Sequence, residues 1–126
     1  MFSYLSPQTK IIGVEPVGAP SMSTSIKKGV NTELAEIDKF IDGAAVRRSG
    51  DRNFAICKEY LHDMITIDEG KACLSILDLY NKEGIVVEPA GALSIAALDS
   101  YADEIKGKNV VCIVSGSNND LSLIHI

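Results

Sequence analysis

The chain has 126 residues, 46% of them hydrophobic and 23% charged, with a formal net charge of −5. That length suits one domain with a real core. The negative balance, without a Lys/Arg stripe, argues against a nucleic-acid partner. No apolar run approaches the roughly 18 residues of a spanning helix, so no membrane segment is expected.

The opening MFSYLSPQTK carries neither a charged n-region nor an apolar h-region, so no secretory signal is expected. Residues 1–9 read as an irregular lead-in, with Pro7 breaking any helix. A short apolar strand is predicted over residues 10–14, ending at Glu15-Pro16 because Pro16 cannot continue a ladder. Residues 17–32 read as loop, with a short helix at 21–28. Leu34, Ile37 and Ile41 share one helical face, which predicts a short helix over 33–41, ended by Asp42-Gly43. A brief strand is expected at 44–46. Asp51 is placed to cap a helix running to about Leu61, with Phe54, Cys57 and Leu61 on its inner face. A strand at 64–67 follows. Asp68 then caps the clearest helix, whose face is Ala72, Cys73, Ile76, Leu77 and Tyr80, and Gly84 closes it. Residues 85–87 read as a strand fragment. Pro89 starts a helix over 90–101 that is apolar nearly all round.

The last strand is predicted at Val110, Val111, Cys112, Ile113 and Val114, a run suited to burial on both faces. It breaks into Ser115, Gly116, Ser117, Asn118, Asn119 and Asp120. Strand, helix, strand, helix, strand predicts a parallel α/β sheet of at least three strands. Ser115 would then sit just past a strand's carboxyl end, where open α/β sheets bind ligands. The same residues are also ordinary turn formers, and Asn118 and Asn119 read as such, positioning the loop. Glu88, after an apolar run and before a helix start, has two readings. It is a desolvated carboxyl, or it only faces the helix amino end. Gly43 either lets backbone approach a flat ligand or is a plain turn glycine.

Cys57, Cys73 and Cys112 are odd in number and lack zinc spacing. They are expected as small buried hydrophobes in a reducing, cytoplasmic compartment. His62 and His125 stand alone and take no role. Lys27, Lys28, Lys39, Lys106 and Lys108 lie in polar surroundings and read as solvated.

Four blocks carry a resemblance: Gly13-Val14-Glu15-Pro16-Val17-Gly18-Ala19-Pro20, Asp42-Gly43-Ala44-Ala45-Val46, Val87-Glu88-Pro89-Ala90-Gly91-Ala92 and Ser115-Gly116-Ser117-Asn118. In that order and at about that spacing they resemble the threonine dehydratase family of pyridoxal-phosphate enzymes, over roughly residues 10–120. The covered region corresponds to the carboxyl half of the catalytic domain, so residues 1–126 are expected to be one partial domain. The resemblance implies a three-layer α/β fold of the tryptophan-synthase-β-like type (fold type II). It implies pyridoxal 5′-phosphate as cofactor, an amino-acid substrate, conversion of L-threonine to 2-oxobutanoate and ammonia in isoleucine synthesis, and a homo-oligomeric parent.

The resemblance also implies site residues. Ser115 would hydrogen-bond the ring nitrogen, Glu88 would face the ring, and Gly43 would lie beside it. A hydroxyl is uncharged near neutrality, so Ser115 would not favour a protonated ring as a carboxylate does. Serine racemases bind a divalent ion at positions matching Glu15 and Ala19. Their further acidic ligand falls at Ser21, a poor partner for a hard cation, so no metal site is expected. The lysine that carries the cofactor and the glycine loop that holds its phosphate match no segment of the chain. The isolated chain is therefore expected to be inactive. Ser117 stands where the family has glycine, and the tail at 121–126 departs from the family pattern. Two rivals are a non-enzymatic α/β binding module and a serine dehydratase or racemase fragment.

Overall fold

The computed structural model describes residues 2–119. Asp120 and the atypical tail at 121–126 lie outside the described residues. Two strands form a parallel pair, β1 (Ile12–Pro16) and β2 (Asp63–Ile67), in the register Ile12↔Asp63 through Pro16↔Ile67. Pro16 belongs to the ladder, unlike the expectation of a strand over residues 10–14 that Pro16 could not continue. In a parallel pair only alternate residues donate to a given neighbour, and the next donation comes from Val17 N–H to the Ile67 carbonyl at 2.9 Å. Pro16 therefore withholds no bond. His62 extends the pairing: its N–H donates to the Ile11 carbonyl, and its Nδ1 accepts from Ile11 N–H at 3.0 Å.

The described residues also form six α-helices: α1 (Phe2–Leu5), α2 (Ser21–Lys28), α3 (Asp51–Tyr60), α4 (Glu69–Asp78), α5 (Pro89–Ala96) and α6 (Ala102–Ile105). The predicted helices at 21–28 and after Asp68 appear at those places. The Asp68 carboxylate accepts from Gly70 N–H at 2.9 Å, which satisfies one orphan donor of α4. A π-type turn over Leu79–Glu83 follows, and Gly84 closes it at φ 67°, in the left-handed region. The main core joins Ile41, Ile67, Ala72, Leu93, Ala96 and Ala97, with Val14 and Ile65 packed against it. A second cluster holds Ile76, Val87 and Ala92 where α4 meets α5. Full burial of Ile41 and Ile67 is worth about 1.5–3 kcal/mol each.

Tertiary partners overrule several local patterns. Residues 33–41 are not helical. Asp38 N–H donates to the Gly18 carbonyl and Leu34 N–H to the Arg47 carbonyl, both at 2.9 Å, so the backbone bonds a helix needs are spent elsewhere. Residues 44–46 form no strand, because a 3₁₀ turn over Asp42–Ala44 occupies that place. Gly50, not Asp51, caps α3. The Asp51 carboxylate instead accepts from Asn31 Nδ2 at 2.7 Å and from Arg48, and these two bonds hold it below the usual carboxylate range. The lead-in contains one helical turn, α1, which stops before Pro7. The apolar helix from Pro89 gives way after Ala96 to a 3₁₀ turn over Leu98–Tyr101. On α4 the buried face is Ala72, Cys73 and Ile76, while Leu77 and Tyr80 are exposed.

Residues 85–87 and 110–114 pair with no strand among the described residues, so the sheet there has two strands rather than three. The segment 110–114 was expected to be buried on both faces. Instead Val111 is 89% exposed and Ile113 74% exposed. The physical reason is that burying a strand takes a neighbour on each side, and the described chain supplies none.

Candidate functional site

A groove of about 470 Å³ lies between β1 and the segment 111–115. Ile12 and Val14 line one side, Val111, Ile113 and Ser115 the other. Gly43, Ala44, Ala90, Leu93 and Ser94 also line it, and residues 9–11 extend it. Two of the sequence-predicted residues, Gly43 and Ser115, thus share one concavity.

Glu88 joins them through its carboxyl group. A Cβ placed on Gly43 would stand 3.5 Å from Glu88 Oε1 and 3.0 Å from the Ala90 methyl; one on Gly116 would stand 2.4 Å from Glu88 Cδ. The carboxyl group therefore lies against two glycines, one beside the 3₁₀ turn and one directly after Ser115. Only glycine leaves room at Gly116 without moving the carboxylate.

Local chemistry explains each placement. The Asp42 carboxylate accepts from Gly43 N–H at 2.7 Å and shapes the turn over Asp42–Ala44. Pro89 sits in the first turn of α5, where its missing N–H costs nothing. Glu88 is the N-cap by backbone, at ψ 161°, yet its side chain makes no capping bond. Its N–H donates to the Gly116 carbonyl at 3.0 Å, which draws the Ser115 loop onto the start of α5. Ser94 Oγ donates to the Ile113 carbonyl at 2.8 Å, and Asn119 Nδ2 to the Val87 carbonyl at 3.0 Å. Cys112 Sγ reaches the Ser94 carbonyl at 3.5 Å, and burial pushes its thiol pKa up.

Ser94, Gly91 and Gly116 escaped the sequence reading as site residues. Ser94 looked like one polar member of an apolar helix. Gly91 stood inside a recognised block, but its need for space shows only in three dimensions. A Cβ there would come 3.0 Å from the Gly116 carbonyl oxygen and 2.8 Å from Val87 Cγ2.

The other expectations fall elsewhere. The Glu15 carboxylate accepts from Met22 N–H at 2.8 Å and Ser23 N–H at 2.9 Å, so it serves the first turn of α2. Ser21 is buried, its hydroxyl 3.5 Å from that of Ser49. Among the described residues no three His, Cys, Asp or Glu side chains group as a metal would require. Lys27, Lys28, Lys39, Lys106 and Lys108 are all exposed. Lys10, at the groove rim, pairs with Glu104 at 3.7 Å. Among the described residues no helix is long and apolar enough to cross a membrane.

Comparison with known proteins gives this geometry a context. A family model described as pyridoxal-phosphate dependent enzyme matches residues 1–116. The L-threonine dehydratase biosynthetic IlvA of Halalkalibacterium halodurans is 57% identical over 117 residues, covering 93% of this chain and 28% of the relative. That of Staphylococcus aureus is 56% identical over 124 residues, covering 96% of this chain and 29% of the relative. The chain thus spans under a third of the length of these relatives. Among solved structures, the processed form of threonine deaminase isoform 2 from Solanum lycopersicum superposes with a TM-score of 0.91 at 39% identity. It covers 98% of this chain and 37% of that one. Serine racemase from Dictyostelium discoideum superposes at 0.84 with 27% identity, covering 94% and 38%. The parallel pair and its helices are therefore a portion of the tryptophan-synthase-β-like α/β fold that was expected. With a match running through nearly every described element, the chain belongs to the family of pyridoxal-phosphate dependent enzymes.

Proposed function

We propose that this chain is the part of a threonine dehydratase that receives the ring of pyridoxal phosphate, in an enzyme converting L-threonine to 2-oxobutanoate and ammonia on the way to isoleucine. One observation carries the reading: Gly43 and Ser115, from separate blocks, line one groove, and the Glu88 carboxyl group of a third block lies against Gly43 and Gly116. The names of the relatives support the choice of substrate.

The residues present fit a flat heteroaromatic ring. Gly43 and Ala44 offer a wall without bulky side chains, and apolar Ala90 and Leu93 lie beside it. Ser115 offers a neutral hydroxyl that accepts from or donates to a ring nitrogen without forcing a charge on it. Glu88 offers a carboxylate that no capping bond consumes. When bound, the cofactor supplies the electron sink that lets the Cα proton and then the β-hydroxyl of threonine leave. Ser115 moderates that sink, because a hydroxyl does not stabilise a protonated ring as a carboxylate would. The lysine that carries the cofactor and the loop that binds its phosphate match nothing here, so turnover is assigned to this chain together with the remaining length of the relatives.

The enzyme is placed in the cytoplasm, a reading supported by three unpaired thiols. A homo-oligomeric parent, without nucleic acid or membrane as partner, completes the proposal. The net charge of −5 supports the exclusion of nucleic acid.

The test is complementation. The 126-residue chain is mixed with a separately produced amino-terminal portion of the Halalkalibacterium halodurans relative. Visible cofactor absorbance and 2-oxobutanoate release are then read. The mixture is expected to give both and the chain alone neither. Threonine turnover by the chain alone, or none by a folded mixture, overturns the reading.

A further inference from the structure

An extended segment with no ladder partner ordinarily has nothing to fix the direction of its side chains. Residues 110–115 are such a segment, yet Ser115 sits at a defined place on the groove. Two side-chain hydrogen bonds bracket it. Ser94 Oγ holds the carbonyl of Ile113, two residues before, at 2.8 Å. Asn119 Nδ2, four residues after, holds the carbonyl of Val87 at 3.0 Å. Between them the Glu88 N–H donates to the Gly116 carbonyl. Both pins end on the same stretch, 87–94, which also carries Glu88. Asn119 Oδ1 is buried and has no hydrogen-bond partner among the described residues, while Nδ2 of the same amide is held by the Val87 carbonyl.

We infer that Ser94 and Asn119 are positioning residues: together they fix the Ser115 loop on the start of α5 and so set the Ser115 hydroxyl relative to the Glu88 carboxylate. Ser94 lines the groove and Asn119 does not. Each acts through Ser115, and the inference rests on the proposed role of that serine. The two pins differ in kind. Ser94 works from within a packed helix and fixes the approach to Ser115. Asn119 works from the loop itself and fixes its exit. Losing either frees one end; losing both leaves the backbone bond from Glu88 to Gly116 and the Cys112 contact with the Ser94 carbonyl.

The experiment uses the full 126-residue chain as wild type and as Ser94→Ala, Ser94→Thr, Asn119→Ala and the Ser94→Ala/Asn119→Ala pair. Amide hydrogen exchange is read at Glu88, whose N–H bonds Gly116, and at Val17, whose N–H bonds Ile67 across the sheet. Each alanine variant is expected to speed Glu88 exchange about two- to tenfold, the range one neutral hydrogen bond supports, and the pair more than either. Val17 should not change, and Ser94→Thr, which keeps the hydroxyl, should behave as wild type. Pyridoxine 5′-phosphate, which has the ring but no aldehyde, is then titrated into each chain mixed with the separately produced amino-terminal portion, while amide shifts at Gly43 and Ser115 are followed. The variants should keep the Gly43 response and lose that of Ser115. Unchanged Glu88 exchange in both single variants overturns the inference. So does equal acceleration at Val17, or failure of threonine to rescue. If wild type itself shows no ring response while the exchange results hold, the ring-binding role fails and the positioning role stands.

Discussion

The sequence Val-Glu-Pro-x-Gly-Ala occurs twice, at residues 14–19 and 87–92, and the two copies do opposite things with their glutamate. Glu15 is the penultimate residue of β1. Pro16 closes the strand, and four residues pass before α2 begins at Ser21, so the carboxylate reaches forward to Met22 and Ser23 and both its oxygens are taken. Glu88 stands directly before α5. Pro89 starts the helix at once, and the carboxylate turns away from the amides it follows, toward Gly43 and Gly116. The distance from glutamate to helix start decides the outcome. A carboxylate one turn back can curl onto the exposed amides. One at the cap, with an extended backbone, is left for another partner. Identical letters thus give a structural acid in one place and an available acid in the other.

The largest expected effect breaks the first copy. Glu15→Ala removes two charge-assisted bonds at the start of α2 and should cost about 3 kcal/mol, read as a shift in the urea midpoint. Next, Gly91→Ala strikes the second copy through packing. Its Cβ meets the Gly116 backbone, which cannot rotate away as a side chain would, so a loss of about 2 kcal/mol is expected in the same measurement, with faster exchange at the Glu88 amide. The contrast sharpens with Glu88→Gln. Stability should stay within about 0.5 kcal/mol of wild type, because no capping bond is lost. The Gly43 and Ser115 responses to pyridoxine 5′-phosphate should weaken, and a large stability loss instead would make Glu88 a second structural acid.

The smallest effect is a control outside either copy. Tyr101 Oη donates to Asp63 at 2.5 Å, and burial, followed by this bond, pushes the phenol up to about 12. A raised acid contributes stability that is complete below its unfolded value near 10 and is lost as pH rises through about 12. Tyr101→Phe should flatten that alkaline loss without altering the ring-probe response. A wild-type curve as flat as the variant's would remove the Tyr101–Asp63 linkage.

How much of this was legible in the sequence follows from which interactions are local. The helices at Ser21 and after Asp68 depend on nearby residues and could be read directly. The two paired strands were also legible, since alternating short apolar runs and helices leave few other arrangements. The helix expected at 33–41 was not, because its amides are claimed by Gly18 and Arg47, remote in sequence. The strand at 110–114 has the right residues but no described neighbour, and no run of β-branched side chains announces whether a neighbour exists. At the site, the family resemblance pointed to Gly43, Glu88 and Ser115. That Gly43 and Ser115 line one groove, with the Glu88 carboxyl against Gly43, and that Ser94 holds Ile113, are long-range facts that only packing settles.

The parallel pairing has a consequence for the order of folding. Each β1 residue meets a β2 partner 51 positions later, as in Ile12↔Asp63. Closing so long a loop costs entropy before any contact repays it, so such pairings form late. Helices α4 and α5, by contrast, pack on each other and are joined by a single turn region. When the 126-residue chain refolds, β1 gains its partner β2 only once the whole intervening stretch has been brought round. The α4–α5 portion is expected to gain exchange protection first in a pulse-labelled refolding experiment, and β1 last.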